Sequence, residues 1–74
     1  MKIKPIGSNQ TELHLADGRV VLFSYETPVA LHVPGEGYYR TSERYSVTTS
    51  KHVNRWTNRT VKTIDADKLA ALVG

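Results

Sequence analysis

Residues 38–60 read YYRTSERYSVTTSKHVNRWTNRT, and within them a β-type pattern gives way to a helical one. The first half of this stretch is rich in tyrosine, threonine and serine, and residues 45–48 are typical of a short strand. Residues 50–58 contain neither glycine nor proline, hydroxyl side chains precede them as N-caps, and Val53 and Trp56 stand three residues apart. The pattern predicts a short helix over residues 50–58 whose Val53 and Trp56 face the core.

The same helix is predicted to have a second, basic stripe. His52, Arg55 and Arg59 follow one another at helical spacing, with Lys51 close by. His52 has two interpretations: it lies on this basic face, or it is hydrogen-bonded to a nearby hydroxyl. Trp56 also has two, as a core residue or as a binding anchor. The core interpretation is favoured because the chain has few other large apolar residues to cover a sheet.

Upstream of this stretch, an Asp17-Gly18 pair separates two strand-like runs, which is a strong hairpin signal. A two-residue turn pairs Leu15 with Val20 and Leu13 with Leu22. This register places Leu13, Leu15, Val20 and Leu22 on one face and His14, Val21 and Phe23 on the other. Because the second strand is apolar on both faces, we expect it to be central and covered on both sides.

The next segment is interrupted by Pro28, which predicts a bend or bulge. Residues 29–33 then resume as a strand and pair with residues 38–41 in a second hairpin, with its tip at residues 34–37. At the N-terminus, Pro5 predicts an edge strand over residues 2–6.

After the first helix, residues 60–64 are predicted to form a last strand. Asp65 is a good N-cap for a helix over residues 66–73, whose apolar stripe is Leu69, Leu72 and Val73. The whole chain, residues 1–74, is therefore expected to be a single α+β domain. Its core element is a bent antiparallel sheet of about five or six strands, with two helices.

Length and composition limit the classes of protein to which the chain can belong. A domain of 74 residues buries only about 60% of its unfolded surface, so self-association as a homodimer is expected to help a small core. The absence of cysteine excludes disulfides and thiol chemistry. There is neither a secretory signal nor an apolar run of about 20 residues, so we expect a cytoplasmic protein without a membrane partner.

Positive charge is concentrated in one part of the chain. The formal net charge is +3, but residues 38–60 alone carry five basic residues and one acidic residue, a net +4. Such a segment is expected to guide binding to phosphate or to an acidic protein surface. The simpler alternative is a solvated face that keeps the protein soluble.

Two strings, VLFSYETPVA at residues 21–30 and GYYRTSERYSVTTSKHVNRW at residues 37–56, resemble a family of small uncharacterised proteins of bacteriophages and bacteria. The recurrent pattern there is FSYxTPVA, then an aromatic-Arg-Thr element, then SxTTxxH followed by a branched aliphatic residue, Asn and Trp. The matching positions are Phe23, Ser24, Tyr25, Thr27, Pro28, Val29, Ala30, Tyr39, Arg40, Thr41, Ser46, Thr48, Thr49, His52, Val53, Asn54 and Trp56. The resemblance implies a phage or mobile-element origin, and it implies no activity, because this family has no assigned function.

The first functional hypothesis is a small accessory protein that binds nucleic acid through phosphate contacts. Arginine, lysine, hydroxyl groups and helix N-termini are the donors that such contacts use. The predicted binding residues are Arg40, Arg44, Lys51, His52, Arg55 and Arg59. Tyr38, Tyr39 and Tyr45 would stack on unpaired bases if they are exposed. No helix-turn-helix spacing or aromatic RNA-binding motif accompanies these residues.

The second hypothesis is a protein-interaction or self-assembling module that docks on a host protein, a virion protein or a second copy. Tyrosine, tryptophan and arginine dominate interface energetics, and edge strands and loop tips are natural contact sites.

An enzyme is not expected. His14, His32 and His52 are the only candidate bases, they lie on different predicted elements, and no metal-binding spacing joins them. We therefore predict no catalytic residue, no metal ligand and no cofactor.

Overall fold

The computed structural model of the chain describes residues 2–7, 9–42 and 46–73. They form one mixed sheet of six strands and two α-helices, an α+β fold as predicted. In chain order the elements are β1 (Lys2–Gly7), β2 (Gln10–His14), β3 (Val20–Ser24), β4 (Thr27–Val33), β5 (Gly37–Thr41), α1 (Val47–Trp56), β6 (Thr63–Ile64) and α2 (Ala66–Val73). The strands lie side by side in chain order, with β1 at one edge and β6 at the other.

The two faces of the sheet carry separate hydrophobic clusters. On one face, Leu13, Val21 and Leu31 pack with Leu69 of α2. On the other face, the fully buried members of the cluster are Leu22, Val29 and Ala30 with Val53 of α1, and Trp56 packs against them. The prediction that β3 is a central strand covered on both sides is confirmed, because each helix covers one face.

The predicted register of the first hairpin is wrong by one residue. Leu13 pairs with Val21 rather than with Leu22. The cause is the loop: Leu15 N donates to Arg19 O at 2.8 Å, so three residues rather than two connect the strands. Gly18 takes the left-handed conformation (φ +95°) that such a loop needs at its last position. Because strand side chains alternate, the slip moves Val21 and Phe23, instead of Val20 and Leu22, to the face of Leu13.

The bend predicted at Pro28 is confirmed as a β-bulge. Phe23 pairs with Pro28 and Leu22 pairs with Ala30, which leaves Val29 as an extra residue on β4. A bulge of this kind lets two consecutive side chains point the same way, and Val29 and Ala30 both enter the cluster under α1. The second hairpin, formed by β4 and β5, is also as predicted.

The boundaries predicted for α1 need correction. The helix runs from Val47 to Trp56 instead of over residues 50–58. Its N-cap is Ser46, whose side chain accepts a hydrogen bond from Thr49 N at 3.2 Å. Val47 and Thr48 are therefore the first turn of a helix and not the end of a strand. Tyr45, the first residue of that predicted strand, lies outside the described residues.

The C-terminal elements follow the prediction except in the direction and length of the last strand, which covers Thr63–Ile64 instead of residues 60–64. β6 is parallel to β5, because α1 crosses over between them, so the sheet is mixed rather than wholly antiparallel. α2 occupies residues 66–73 as predicted, and Asp65 caps it by accepting from Asp67 N at 2.9 Å. Neither of the two described helices is long and apolar enough to cross a membrane.

Candidate nucleic-acid interface

Three basic side chains gather on the outer side of α1. Lys51, Arg55 and Arg59, together with Asn54, line one open depression of about 390 Å³. Lys51 and Arg55 are exposed and stand one helical turn apart, on the side of α1 away from buried Val53. We call Lys51, Arg55 and Arg59 the basic patch.

Arg59 joins this patch because of the way the helix ends. Thr57 Oγ1 donates to Val53 O at 2.6 Å, and Arg59 N then donates back to Asn54 O at 2.8 Å. Asn58 (φ 54°) and Arg59 (φ 60°) both take the left-handed conformation. Asparagine tolerates this at a helix end, whereas for arginine it costs about 1–2 kcal/mol. The strained turn folds the chain back over the last turn of α1, where it leaves Arg59 beside Arg55.

Arg40 is brought alongside the patch from β5. Its Nη1 donates to Asn54 Oδ1 at 2.6 Å, so the side chain is anchored against α1. Arg44, the other arginine predicted from this part of the chain, lies outside the described residues. The structure therefore brings together four of the six predicted residues: Arg40, Lys51, Arg55 and Arg59.

No described carboxylate neutralises the basic patch. Residues 46–64 contain no Asp or Glu. Within the described ranges, ion pairs join only Glu12 with His14 and Asp17 with Arg19. The last turn of a helix also favours cations through its dipole, which suits Arg55. Among the described residues, the positive charges of the patch thus have no carboxylate partner.

His52 does not line the depression that Lys51, Arg55 and Arg59 share. Its Nδ1 lies 3.2 Å from Ser24 Oγ, which also lies 3.0 Å from Thr49 Oγ1. Ser46 Oγ in turn donates to Thr49 Oγ1 at 3.3 Å. The alternative of a hydrogen bond to a hydroxyl is the one observed, and these four polar residues fasten the start of α1 to β3.

A second concave site lies on the α1 face of the sheet, and the sequence did not reveal it. His14, Val20, His32 and Tyr38 are directly paired across four strands and form its floor. The complete lining of this cleft of about 160 Å³, which we call the aromatic cleft, is Glu12, His14, Val20, His32, Tyr38 and Trp56. The correct register would have shown that Glu12, His14 and Tyr38 share one face of the sheet, and this signal could have predicted the cleft.

The walls of the aromatic cleft are fixed by ring contacts and by a carboxylate. The Tyr38 ring lies 4.6 Å from the His32 ring and 5.3 Å, edge to face, from the Trp56 ring. Trp56 Nε1 donates to Glu12 Oε2 at 2.8 Å, and Glu12 Oε1 lies 2.9 Å from His14 Nε2. Trp56 thus packs on the core, as predicted, while its polar edge belongs to the cleft. No group of three or more described His, Asp or Glu side chains is arranged to hold a metal ion.

The carboxyl group of Glu12 is held in its ionised form. Burial alone would raise its pKa. The hydrogen bonds from Trp56 and with His14, and the charges of His14 and Lys4, together outweigh burial, so the pKa lies below its ordinary value of 4.5. The cleft therefore presents a negative charge among aromatic rings.

The three tyrosines predicted to stack on bases have different surroundings. Tyr38 lines the aromatic cleft. Tyr39 points to the opposite face, packs on the α2 cluster and donates its hydroxyl to Glu36 Oε1 at 3.1 Å. Tyr45 lies outside the described residues. Tyr38 is thus the one tyrosine of the three that lies on the α1 side of the described sheet.

A third concavity, on the α2 face, is apolar. Ile3, Leu13, Phe23 and Tyr25 line most of this groove of about 280 Å³, with Thr11 and Glu26 at its margin. Ile3 is 75% exposed and Tyr25 is 54% exposed, so neither is covered by α2. We call this surface the apolar groove.

A family model described as "Family of unknown function (DUF8033)" matches residues 1–71 of the chain. The match covers 71 of the 74 residues, and it confirms the predicted similarity to a family without an assigned function. No curated protein and no solved structure matches the chain.

Proposed function

Because this chain is a member of DUF8033, whose function is not known, we propose a function from its own residues: a small accessory protein that contacts nucleic-acid phosphate through the basic patch. The setting we propose is the cytoplasm of a host cell, for a protein of phage or mobile-element type. The residue pattern described above, which resembles phage and bacterial proteins, supports that setting.

One observation carries the proposal: the basic patch has three cations on one open surface, with Arg40 anchored beside them and no described carboxylate paired to them. Guanidinium groups bind phosphate oxygens with two parallel hydrogen bonds, and lysine adds a point charge. The strained left-handed turn that places Arg59 also supports a functional role, because backbone strain of this kind tends to occur at binding sites.

A pair of charge-matched variants tests the proposal. The first replaces the patch, Lys51, Arg55 and Arg59, with alanine. The control replaces Arg19, Lys62 and Lys68: Arg19 pairs with Asp17, Lys62 donates to Glu36 O beside Tyr39, and Lys68 lies on α2, so none of them belongs to the patch or to the aromatic cleft. Each triple variant removes three positive charges and lowers the formal net charge from +3 to 0.

Binding of both variants to a labelled single-stranded 20-mer is measured by fluorescence anisotropy at low salt. We expect the patch variant to lose at least about tenfold in affinity and the control to lose less than about threefold, because contact ions contribute more than distant ones. Equal losses would show that only net charge matters. Absence of binding by the unmodified protein would refute the function itself.

The second candidate function is self-association or docking on another protein through the apolar groove. An exposed apolar surface beside an edge strand favours it. Lys2, Lys4 and Pro5 discourage direct strand addition at β1, so the groove rather than the strand edge would form the contact. Sedimentation at several concentrations tests self-association: a dimer that becomes monomeric with Tyr25→Lys supports it, and a monomer throughout contradicts it.

A further inference from the structure

We infer that the aromatic cleft holds one unpaired nucleobase, cytosine or adenine, whose exocyclic amino group stands where thymine and guanine carry a carbonyl oxygen, while the adjacent phosphate lies on the basic patch. This inference rests on the proposed function, because the patch supplies the phosphate contact. It adds a second site, formed by different residues, and a base preference that the patch alone cannot give.

The two sites adjoin through two shared elements. On β5, Tyr38 lines the cleft and Arg40 lies beside the patch, and residues two apart on a strand face the same way at about 7 Å. On α1, Trp56 of the cleft directly follows Arg55 of the patch. A single strand that contacts Arg40 is therefore within reach of Tyr38 at the cleft.

The walls of the cleft suit a flat ring. Tyr38 and Trp56 are half-buried, so each presents part of its ring to the opening, and Val20 gives the floor an apolar surface. Aromatic side chains bind unpaired bases by stacking, as in proteins that recognise single strands. At about 160 Å³ the cleft is smaller than the roughly 300–1,000 Å³ pockets that hold drug-sized ligands, which limits it to a single ring system.

Glu12 gives the cleft its base preference. Its side chain is 19% exposed, and each carboxylate oxygen keeps a free lone pair beyond the bonds to Trp56 and His14. A carboxylate accepts a hydrogen bond from the amino group of cytosine or adenine. Thymine presents a carbonyl oxygen at the corresponding position, which repels the carboxylate. The two sites thus have different roles: Glu12 in the cleft selects the base, and the basic patch binds the phosphate.

The test uses four single-stranded DNA decamers of equal length: dC10, dA10, dT10 and an abasic strand. Anisotropy of a terminal label reports binding, and the fluorescence of Trp56, the only tryptophan, reports occupation of the cleft. We expect dC10 and dA10 to bind roughly fivefold to tenfold more tightly than dT10, the ratio given by one hydrogen bond, and to quench Trp56. The Glu12→Gln variant is expected to reduce that ratio below about twofold and to bind dT10 at least as tightly as the unmodified protein does, because the repulsion of the thymine carbonyl is removed.

The outcomes separate this inference from the proposed function. Equal binding of all four strands without a change in Trp56 fluorescence overturns the base site and leaves the phosphate function standing. Failure of every strand to bind overturns both. A preference that persists in Glu12→Gln overturns the role of Glu12. Quenching of Trp56 by N-acetyl-arginine amide but by no decamer would assign the cleft to a cationic protein side chain and overturn the inference.

Discussion

Replacing Glu12 with glutamine removes a negative charge from the centre of a hydrogen-bond network but keeps its shape. The carboxylate accepts from Trp56 Nε1 at 2.8 Å and lies 2.9 Å from His14 Nε2. Glutamine retains one carbonyl oxygen that can accept from Trp56 Nε1, but its neutral amide group interacts more weakly with His14 than the carboxylate does. The variant therefore isolates the contribution of the charge, whereas alanine would also create a cavity.

We expect Glu12→Gln to lower the free energy of unfolding by about 1–2 kcal/mol at pH 7. A hydrogen bond to a charged group contributes about 1.5–3 kcal/mol and a neutral one about 0.5–1.5 kcal/mol, so exchanging one for the other costs the difference. The loss also depends on pH. Because folding lowers the pKa of Glu12, its charge stabilises the folded state above the ordinary pKa of 4.5. This stabilisation disappears as the pH falls through the lower pKa of the folded state.

Urea unfolding followed by far-ultraviolet circular dichroism measures this directly, since the readout does not depend on Trp56. The free energies of unfolding of the unmodified protein and of Glu12→Gln are compared at pH 7, 5, 4 and 3. We expect the difference between them to shrink towards zero between pH 5 and the lowest pH. A difference that stays the same or grows over this range would refute the assigned role of the charge.

Three further substitutions test the packing, the helix end and the polar network. Leu22→Ala is expected to cost about 3 kcal/mol in urea unfolding, because Leu22 is 0% exposed on the central strand, whereas Ile3→Ala, at a 75% exposed position, should cost less than about 0.5 kcal/mol. Equal effects would contradict the described core. Arg59→Gly should be more stable than Arg59→Ala by about 1 kcal/mol, since only glycine relieves the left-handed strain, while both weaken binding to a labelled single strand. If the alanine variant is the more stable, the described helix end is wrong. Ser24→Ala removes a buried hydroxyl shared by two partners on α1 and is expected to cost about 1–3 kcal/mol in thermal unfolding; an unchanged melting temperature would contradict the network.

The order of the elements was predictable because it depends on local patterns. Pro28 marked the bulge, Asp65 marked the start of α2, and the apolar run of β3 indicated a strand covered on both faces. Each of these signals acts within a few residues of its effect, so the sequence alone contains it.

The register of the first hairpin and the start of α1 were not predictable for a shared reason: several local solutions have similar energies. Asp17-Gly18 suits both a two-residue and a three-residue loop, and the ladder decides between them. Four hydroxyl residues between positions 46 and 50 are each good caps. Ser46 prevails because its helix also lets Thr49 and His52 reach Ser24. Contacts distant in sequence thus selected between local alternatives.

The candidate site likewise has one part that the sequence predicted and another part that depends on contacts distant in sequence. Helical spacing predicted that Lys51 and Arg55 would lie together, but it could not predict that Arg40 reaches Asn54 from another strand. The aromatic cleft depends on the pairing of four strands, and a register wrong by one residue hides it. The concentration of positive charge could be predicted from the sequence, whereas the aromatic cleft could be found only once the pairing of the strands was known.

The salt dependence of binding to a single-stranded oligonucleotide tests the central claim most directly. Each phosphate contact contributes about −0.7 to the slope of log K against log salt for single strands, so three or four contacts predict a slope between about −2 and −3. With Lys51, Arg55 and Arg59 replaced by alanine, we expect a shallower slope, between about −0.7 and zero, because at most one phosphate contact remains. A slope near zero for the unmodified protein, or an unchanged slope for the variant, would contradict phosphate binding at the basic patch.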